Sequence, residues 1–402
     1  KEKILMAKIL IVGNGGRENA IKRALGAHEI AQTTSSNMQE ILQMARDFHA
    51  DLTIVGSEDL LVAGIGDLFS QAGMKLFGPG KAAARLEGSK AYAKDFMRKY
   101  GVKTARYETF TDPQEAIAGL GDFDLPVVVK ASGLAAGKGV IICQTAEEAR
   151  NAISQIMVEQ RFGKAGAEVV LEEFLVGKEA SILSFANEQG IFPLVSAKDH
   201  KKIGEGETGP NTGGMGTFAP NPFYTAQRQA QFERDILEPT LKGIQAEGLE
   251  FAGCIFFGLM LTDNGTYLLE YNMRFGDPET QVVLPLIEGD FYQLLVACME
   301  RRLEPGDIKI RDQKTICLVL ASGGYPGSYE KGKEISGLEG VDYLEAGVRH
   351  ENGKAYTNGG RVLNLVARAD TIEAARKVVY ENAQKVDFEG KTYRKDIGAD
   401  VI

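Results

Sequence analysis

Apolar residues fall first into short unbroken runs divided by helically spaced stretches, and later into strand-length runs divided by glycine loops. Lys8-Ile-Leu-Ile-Val12 is unbroken and ends at Gly13-Asn-Gly-Gly-Arg-Glu18, after which Ala20, Ile21, Ala24 and Leu25 keep a helical spacing. A strand, a glycine turn and a helix are expected. A helix near Met38 to Phe48 then leads to Asp51-Leu-Thr-Ile-Val55 and the turn Gly56-Ser-Glu-Asp59, and a third strand, Lys75-Leu-Phe77, ends in Gly78-Pro-Gly80. Strands alternating with helices predict parallel βαβ units, whose ligand crevice lies at the carboxyl ends of the strands.

After a helix at Lys90 to Tyr100 the texture changes. Pro126 to Lys130, Gly139 to Cys143, Glu168 to Phe174 and Ala180 to Phe185 read as strands at hairpin-like spacing, with one helix at Ala146 to Val158. The glycine-rich polar stretch Asp199 to Pro222 reads as a long functional loop. A helix near Gln227 to Gly248 and two apolar strands, Gly253 to Leu261 and Tyr267 to Tyr271, follow it. From Thr315 onward, strands, glycine turns and a helix at Ile372 to Glu381 suffice for a small α+β domain.

Composition narrows the function classes. The 402 residues predict two to four domains, and 46 Lys and Arg against 55 Asp and Glu give a net charge of −9, which argues against nucleic acid as a partner. No apolar run approaches the ~20 residues of a bilayer span, so no membrane is expected. Cys143, Cys254, Cys298 and Cys317 form no C-x-x-C pair and read as reduced core residues of a cytoplasmic protein. The segment before Met6 lacks the apolar stretch of an export signal and reads as a foreign extension.

Three polar motifs carry chemistry. In Gly13-Asn-Gly-Gly-Arg-Glu18 the third glycine of a dinucleotide fingerprint is replaced by Glu18, which argues against nicotinamide. What remains is either a turn whose amides and Arg17 suit one phosphate or a plain strand-to-helix turn. Lys130-Ala-Ser-Gly-Leu-Ala-Ala-Gly-Lys-Gly139 is not a Walker A loop, because only three residues separate Gly133 from Gly137 and Gly139 stands where the metal-binding hydroxyl belongs. It reads as a glycine loop folded over phosphates, with Lys130 at its root and Lys138 at its tip, or as a solvated surface hairpin. In Tyr267 to Arg274, strand geometry puts Glu270, Asn272 and Arg274 on one face: an acid and an amide oxygen for Mg²⁺, and a guanidinium for an oxyanion. Gly276-Asp-Pro-Glu-Thr280 continues that polar cluster.

Together with Leu86-Glu-Gly-Ser-Lys90, Asp199-His-Lys201, Thr208-Gly-Pro-Asn-Thr-Gly-Gly-Met-Gly216 and Thr357-Asn-Gly-Gly-Arg361, these motifs resemble the ATP-grasp superfamily and, within it, the phosphoribosylamine–glycine ligase family over nearly the whole chain. The fold this implies is mixed α/β and α+β and multidomain. A doubly wound parallel-sheet domain would cover residues 1–90, an ATP-grasp domain 91–310 with a mobile lid at about 107–177, and a small α+β domain 311–402. The implied reaction joins ATP, glycine and 5-phosphoribosylamine into glycinamide ribonucleotide, ADP and phosphate, with Mg²⁺ or Mn²⁺ as cofactor and a monomer as the expected state. Glycyl phosphate is the expected intermediate, because a carboxylate cannot expel oxide and no Cys or Ser sits in a nucleophile–base arrangement.

By the same resemblance Lys90, Lys130, Gly137, Lys138 and Gly139 would bind the phosphates of ATP, the hinge Glu172, Glu173, Phe174 and Leu175 its adenine, and Glu179 its ribose. Glu270 and Asn272 would hold the metal, while Arg274 and Lys138 would act on the reacting groups. Substrate contacts are implied for Gly13, Asn14, Gly15, Gly16, Arg17 and Glu18, for Asp199 and Lys201, and for Pro210, Asn211, Thr212, Gly213, Gly214 and Met215. They are implied as well for Asp277, Pro278, Glu279, Gly360 and Arg361. The chain departs from the family where Asn19 replaces a usual His and Ser132 a usual Asp. It also lacks a Pro-Gly-Asn-type loop, having only Gln32 to Asn37 there, which implies an altered phosphoribosylamine pocket. Another ATP-grasp carboxylate–amine ligase and a nucleotide-binding pseudoenzyme are the alternatives.

Overall fold

A computed structural model describes residues 6–135 and 138–402. Lys8–Val12 lies inside a four-stranded parallel sheet, between Glu29–Thr33 and Leu52–Val55, with Leu76–Phe77 beyond the latter. Ile9 and Ile11 face one apolar cluster and Leu10 and Val12 another, so the run is unbroken because both faces of the strand are buried. Glu29-Ile-Ala-Gln-Thr33 is the sheet's edge, half-exposed and polar at three of five positions, which is why apolar patterning does not reveal it.

The lid region is an antiparallel sheet in the order Tyr107–Phe110, Val169–Glu173, Val127–Ala131, Val140–Cys143. Its core also takes in residues of helices Pro113–Gly119 and Ala146–Ile153. The phosphate loop joins Val127–Ala131 to Val140–Cys143; Gly137, expected to bind phosphate, lies outside the described residues.

The central sheet runs Gly190–Pro193, Lys178–Asn187, Ala252–Thr262, Gly265–Asn272, all antiparallel. Gly258 pairs with Glu270 but Leu259 pairs with Leu268, so Leu269 is an extra residue. This bulge shifts the alternation by one: Leu268, Tyr271 and Met273 all enter the core beneath the helix Lys90–Tyr100, and Glu270, Asn272 and Arg274 are released to the cleft side.

The C-terminal sheet corrects one expectation. Its order is Lys198–Asp199, Gly216–Ala219, Lys314–Ser322, Arg361–Ala369, Tyr343–Glu345, so two of its strands come from the stretch read as a loop. Phe218 and Ala219 are fully buried, and backbone pairing rather than side-chain pattern recruits the polar residues around them. The sheet therefore crosses the boundary expected between 310 and 311. Between its two early strands, Lys202–Gly204 and Thr208–Asn211 form a small ribbon.

Arg394, 2% exposed, clamps that ribbon: Nε and Nη2 donate to the two oxygens of Asp396 at 2.7 and 2.6 Å, and Nη1 donates to the Lys202 carbonyl at 3.0 Å and pairs with Glu207 at 2.7 Å. Burial alone would raise the Asp396 carboxyl, but the Arg394 fork and the Gly206 amide outweigh it and hold it at about 2. An acid depressed in the fold stabilises it fully above the unfolded value near 4 and loses that contribution as pH falls toward 2. Arg394→Met is expected to cost about 2 kcal/mol at pH 7, the scale of a charged hydrogen bond, and to flatten the acid loss of stability between pH 4 and 2. Denaturant titrations across that range check it; parallel acid limbs in parent and variant would contradict the assignment.

Candidate active site

The root of the phosphate loop is organised by one carboxylate. Glu172, on Val169–Glu173, is 2% exposed, and its Oε1 accepts from Lys130 Nζ at 2.8 Å. Its Oε2 is ion-paired at 2.5 Å with Lys94, which rises from the helix Lys90–Tyr100. Lys94 also donates to the Thr104 hydroxyl at 2.6 Å, and that hydroxyl donates to the Leu268 carbonyl at 2.6 Å. Burial would raise the Glu172 carboxyl, but the two ammonium groups keep it below its ordinary range. For Lys94 burial outweighs the attraction of Glu172 and brings it down to about 8. The Glu172 carboxylate is thus occupied by lysines. Glu173 accepts from the Arg106 amide at 2.8 Å, and Phe174 and Leu175 are half-buried.

Lys90 opens its helix behind the cap Ser89 and points Nζ at the Gly133 carbonyl, 3.3 Å away. Ser132 fastens the loop to this helix: its carbonyl accepts from the Lys90 amide at 2.7 Å and its hydroxyl from the Ala91 amide at 3.2 Å. The serine found where an aspartate is usual therefore serves as a helix-start acceptor. Lys138 is exposed at the loop tip, and a side chain at Gly139 would meet Ala135 Cβ at 2.7 Å.

Glu270 lies within the field of four cations. Burial would raise its carboxyl, but Lys201, Lys90, Lys130 and Arg274 together hold it low, and it makes no hydrogen bond among the described residues. Asn272 Oδ1 accepts from Arg274 Nη2 at 3.1 Å, while the buried Nδ2 has no partner. One free carboxylate and one amide oxygen fit a hard cation that takes its remaining ligands from phosphate and water. Among the described residues no group of three or more His, Cys, Asp or Glu could hold a metal. Arg274 is less free than expected: Nη2 pairs with Glu87 at 3.0 Å and Nε with Glu58 at 3.4 Å. Glu87 also accepts from the Met273 amide at 2.7 Å.

A second group of charges lies beyond Glu270. Lys201 pairs with Glu179 at 3.1 Å, Asp199 accepts from the His200 amide at 2.7 Å, and Glu279 accepts from the Ser181 hydroxyl at 3.0 Å. Burial pushes both Asp199 and Glu279 upward, and the Glu279 charge pushes Asp199 further. Gly214, at φ 109°, packs so closely that a Cβ would lie 2.4 Å from Pro278 Cδ and 2.7 Å from Asp199 Oδ1. Arg361 stitches this loop to the next turn, donating to the Gly213 carbonyl at 2.6 Å and the Asp277 carbonyl at 3.0 Å. The Gly213 amide donates to the Tyr325 hydroxyl at 2.9 Å, and a Cβ on Gly360 would strike that same ring at 2.2 Å. Thr212 donates to the Lys201 carbonyl at 2.8 Å, Pro210 and Asn211 lie on the exposed ribbon, and Met215 is 1% exposed, which removes its side chain from substrate.

At the N-terminal turn, Glu18 is a correction. It is 4% exposed and spends both oxygens internally, accepting from the Gly15 amide at 2.7 Å and pairing with Arg17 Nε at 2.7 Å. A Cβ on Gly56 would come within 1.7 Å of it. Arg17 also donates to the Phe275 carbonyl at 3.1 Å, and its amide faces the Asp277 carboxylate. The amides of Asn14 and Gly16 have no acceptor among the described residues. Asn19 donates to the Gly15 carbonyl at 3.0 Å and the Glu345 carbonyl at 2.9 Å, docking the helix start on the C-terminal sheet.

Sequence reasoning missed Lys94, Glu58 and Glu87. Lys94 follows Lys90 by one helical turn among Ala91, Ala93, Phe96 and Met97, a placement that marks a lysine on a buried face. Since Glu279 contributes to the raised Asp199 carboxyl, Glu279→Gln is expected to lower the Asp199 titration while burial keeps it above the ordinary range. Carbon NMR of labelled aspartate reads this directly; an unmoved titration would mean the two acids do not sense each other.

Models of the phosphoribosylglycinamide synthetase family match in three parts: the N domain over residues 23–87, the ATP-grasp (A) domain over 88–280 and the C domain over 315–400. The chain is 50% identical over 417 residues to the phosphoribosylamine–glycine ligase of Fusobacterium nucleatum, covering 97% of this chain and 98% of the relative. It is 47% identical over 412 residues to that of Clostridium acetobutylicum, covering 97% and 99%. Among solved structures, the phosphoribosylamine–glycine ligase of Thermotoga maritima superposes with a TM-score of 0.87 at 36% identity, covering 97% of this chain and 100% of that one. Biotin carboxylase of Campylobacter jejuni shares the fold, with a TM-score of 0.73 at 15% identity and coverage of 98% and 99%.

Proposed function

The chain belongs to the phosphoribosylglycinamide synthetase family, and from that premise we propose that it joins glycine to 5-phosphoribosylamine in purine synthesis, converting ATP to ADP and phosphate. The observation that best supports a phosphoryl-transfer site is the gathering of Lys90, Lys130, Lys201 and Arg274 near enough to Glu270 for their charges to hold its unbonded carboxylate low. Polyphosphate and a divalent ion bring charges of both signs into such a site, and each finds a counter-charge there.

In this reading ATP lies under the glycine loop, with its adenine along the backbone of 173–175 and its phosphates toward Lys90, Lys130 and Lys138. Glu270 and Asn272 would hold Mg²⁺ or Mn²⁺, which when bound neutralises phosphate charge. The chain's own work is electrostatic. Lys130, Lys138 and, once a pair with Glu58 or Glu87 opens, Arg274 offset charge as the glycine carboxylate oxygen attacks the γ-phosphorus and ADP leaves. The amine of 5-phosphoribosylamine then attacks the carbonyl of glycyl phosphate, and inorganic phosphate is expelled with one former carboxylate oxygen.

Asp199, Glu279 and Lys201 line the glycine side. The phosphate of phosphoribosylamine is assigned to the Asn14 and Gly16 amides with Arg17, because Glu18 and Asp277 already take the Gly15 and Arg17 amides. The connection from Thr33 to the helix Met38–Phe48 is short, and this end of the pocket is the part proposed to differ from the family's. A cytoplasmic monomer is the proposed state; four buried thiols, with Cys254 and Cys298 pushed up to about 12 by burial, agree with a reducing compartment.

An ADP-release assay with glycine, run with and without phosphoribosylamine generated in place, tests the reaction. Glycine labelled with heavy oxygen in its carboxylate should pass one label per turnover to phosphate, and unlabelled phosphate during amide formation would exclude glycyl phosphate. Glu270→Gln is expected to raise the Mg²⁺ requirement and lower turnover, since an anionic ligand is lost. Turnover equal to the parent at every Mg²⁺ concentration would remove Glu270 from the metal site.

A further inference from the structure

Glu172 holds two lysines of unequal freedom. Lys130 comes from the lid strand Val127–Ala131, and Glu172 is the only side chain it bonds among the described residues. Lys94 comes from the core helix and is fixed from its far side by Thr104, which is itself fixed on the Leu268 carbonyl. With its side chain 3% exposed, Lys94 has no route to a ligand in the cleft. The carboxylate between them is as deeply buried, so if a phosphate drew Lys130 away and nothing else faced Glu172, an unpaired charge would remain in the interior. Such a state is strongly disfavoured and would hold Lys130 back.

We propose that Lys94 is a positioning residue for nucleotide: it keeps the Glu172 charge matched while Lys130 leaves that carboxylate for a phosphate of ATP. This rests on the reading above that Lys130 is a phosphate ligand. The exchange conserves the pairing of charges. Without nucleotide, one carboxylate faces two ammonium groups; with it, Glu172 keeps Lys94 and phosphate takes Lys130. The same ion pair ties the lid strand Val169–Glu173 to the core helix, so the point from which the loop swings stays fixed while its lysine changes partner.

The test compares ATP with adenosine, which fills the hinge but carries no phosphate. Calorimetry on the whole protein should show Lys94→Met lowering ATP affinity about tenfold, one charged contact's worth, with adenosine affinity unchanged. In a Glu172→Gln background, where no buried charge needs matching, adding Lys94→Met should change ATP affinity less than about twofold. An equal loss for adenosine, an undiminished loss in the double variant, or unchanged ATP affinity in Lys94→Met would each overturn the proposal. Lys94→Gln removes the charge while keeping a donor toward Glu172 and gives the same readout should the methionine variant not fold. Lys130→Ala separates the two readings: if it leaves ATP affinity intact, the phosphate role of Lys130 itself fails, whereas a loss there with none in Lys94→Met overturns the Lys94 proposal alone.

Discussion

Arg274 stands where three parts of the chain meet, and its guanidinium is the charge that lets Glu87 be buried beside the half-buried Glu58. Glu58 begins the helix Glu58–Ala63 beside the parallel sheet, Glu87 closes the helix Lys81–Gly88, and Arg274 follows the bulged strand of the central sheet. Without the arginine the buried Glu87 would face a second acid with no counter-charge, a state that burial and repulsion both oppose. The same guanidinium fixes Asn272 by one hydrogen bond, so the docking of the N-terminal sheet and the orientation of the Asn272 amide share a single group. Glu87 adds a backbone link through Met273, which sets the strand's last residues against the helix pair.

The buried acids of the cleft divide by the sign of their shifts. Glu172, Glu270 and Asp277 are held low by cations that outweigh burial, and they remain anionic. Asp199 and Glu279 are pushed up by burial, which outweighs Lys201, and the Glu279 charge pushes Asp199 further. One end of the cleft is therefore fixed in charge and suits phosphate and metal. The other is short of positive charge and suits an ammonium group, as glycine supplies. This division follows from where lysines and arginines are planted on rigid strands and helix starts, not from the acids themselves.

Much of this was legible in the residues. The two-sided burial of Lys8–Val12, the glycine loop with a lysine at each end, and the Glu270, Asn272, Arg274 face follow from periodicity and motif spacing. What escaped was set by partners distant in sequence. Glu29–Thr33 is a strand because Lys8–Val12 offers it hydrogen bonds, and its own pattern is polar. Gly216–Ala219 joins a sheet whose next strand begins almost a hundred residues later, a pairing no local window contains. Glu18, implied as a substrate contact by resemblance alone, is drawn inward by the space left at Gly56 and caps its own helix. Lys94 was hidden by its chemistry, since an isolated lysine is read as solvated until a buried acid is found opposite it.

The C-terminal sheet has a bearing on how the chain reaches this state. Its strand Lys314–Ser322 takes Gly216–Ala219 along one edge and Arg361–Ala369 along the other, so part of one edge is paired with residues made long before it. A ribosome that had released only the first 310 residues would leave Phe218 and the carbonyls of 216–219 without cover. The ribbon held by Arg394 would lack its clamp until the last ten residues emerged. The loop at 212–214, stitched by Arg361, is then the last part of the cleft to take shape, after the cluster around Glu172 is already complete.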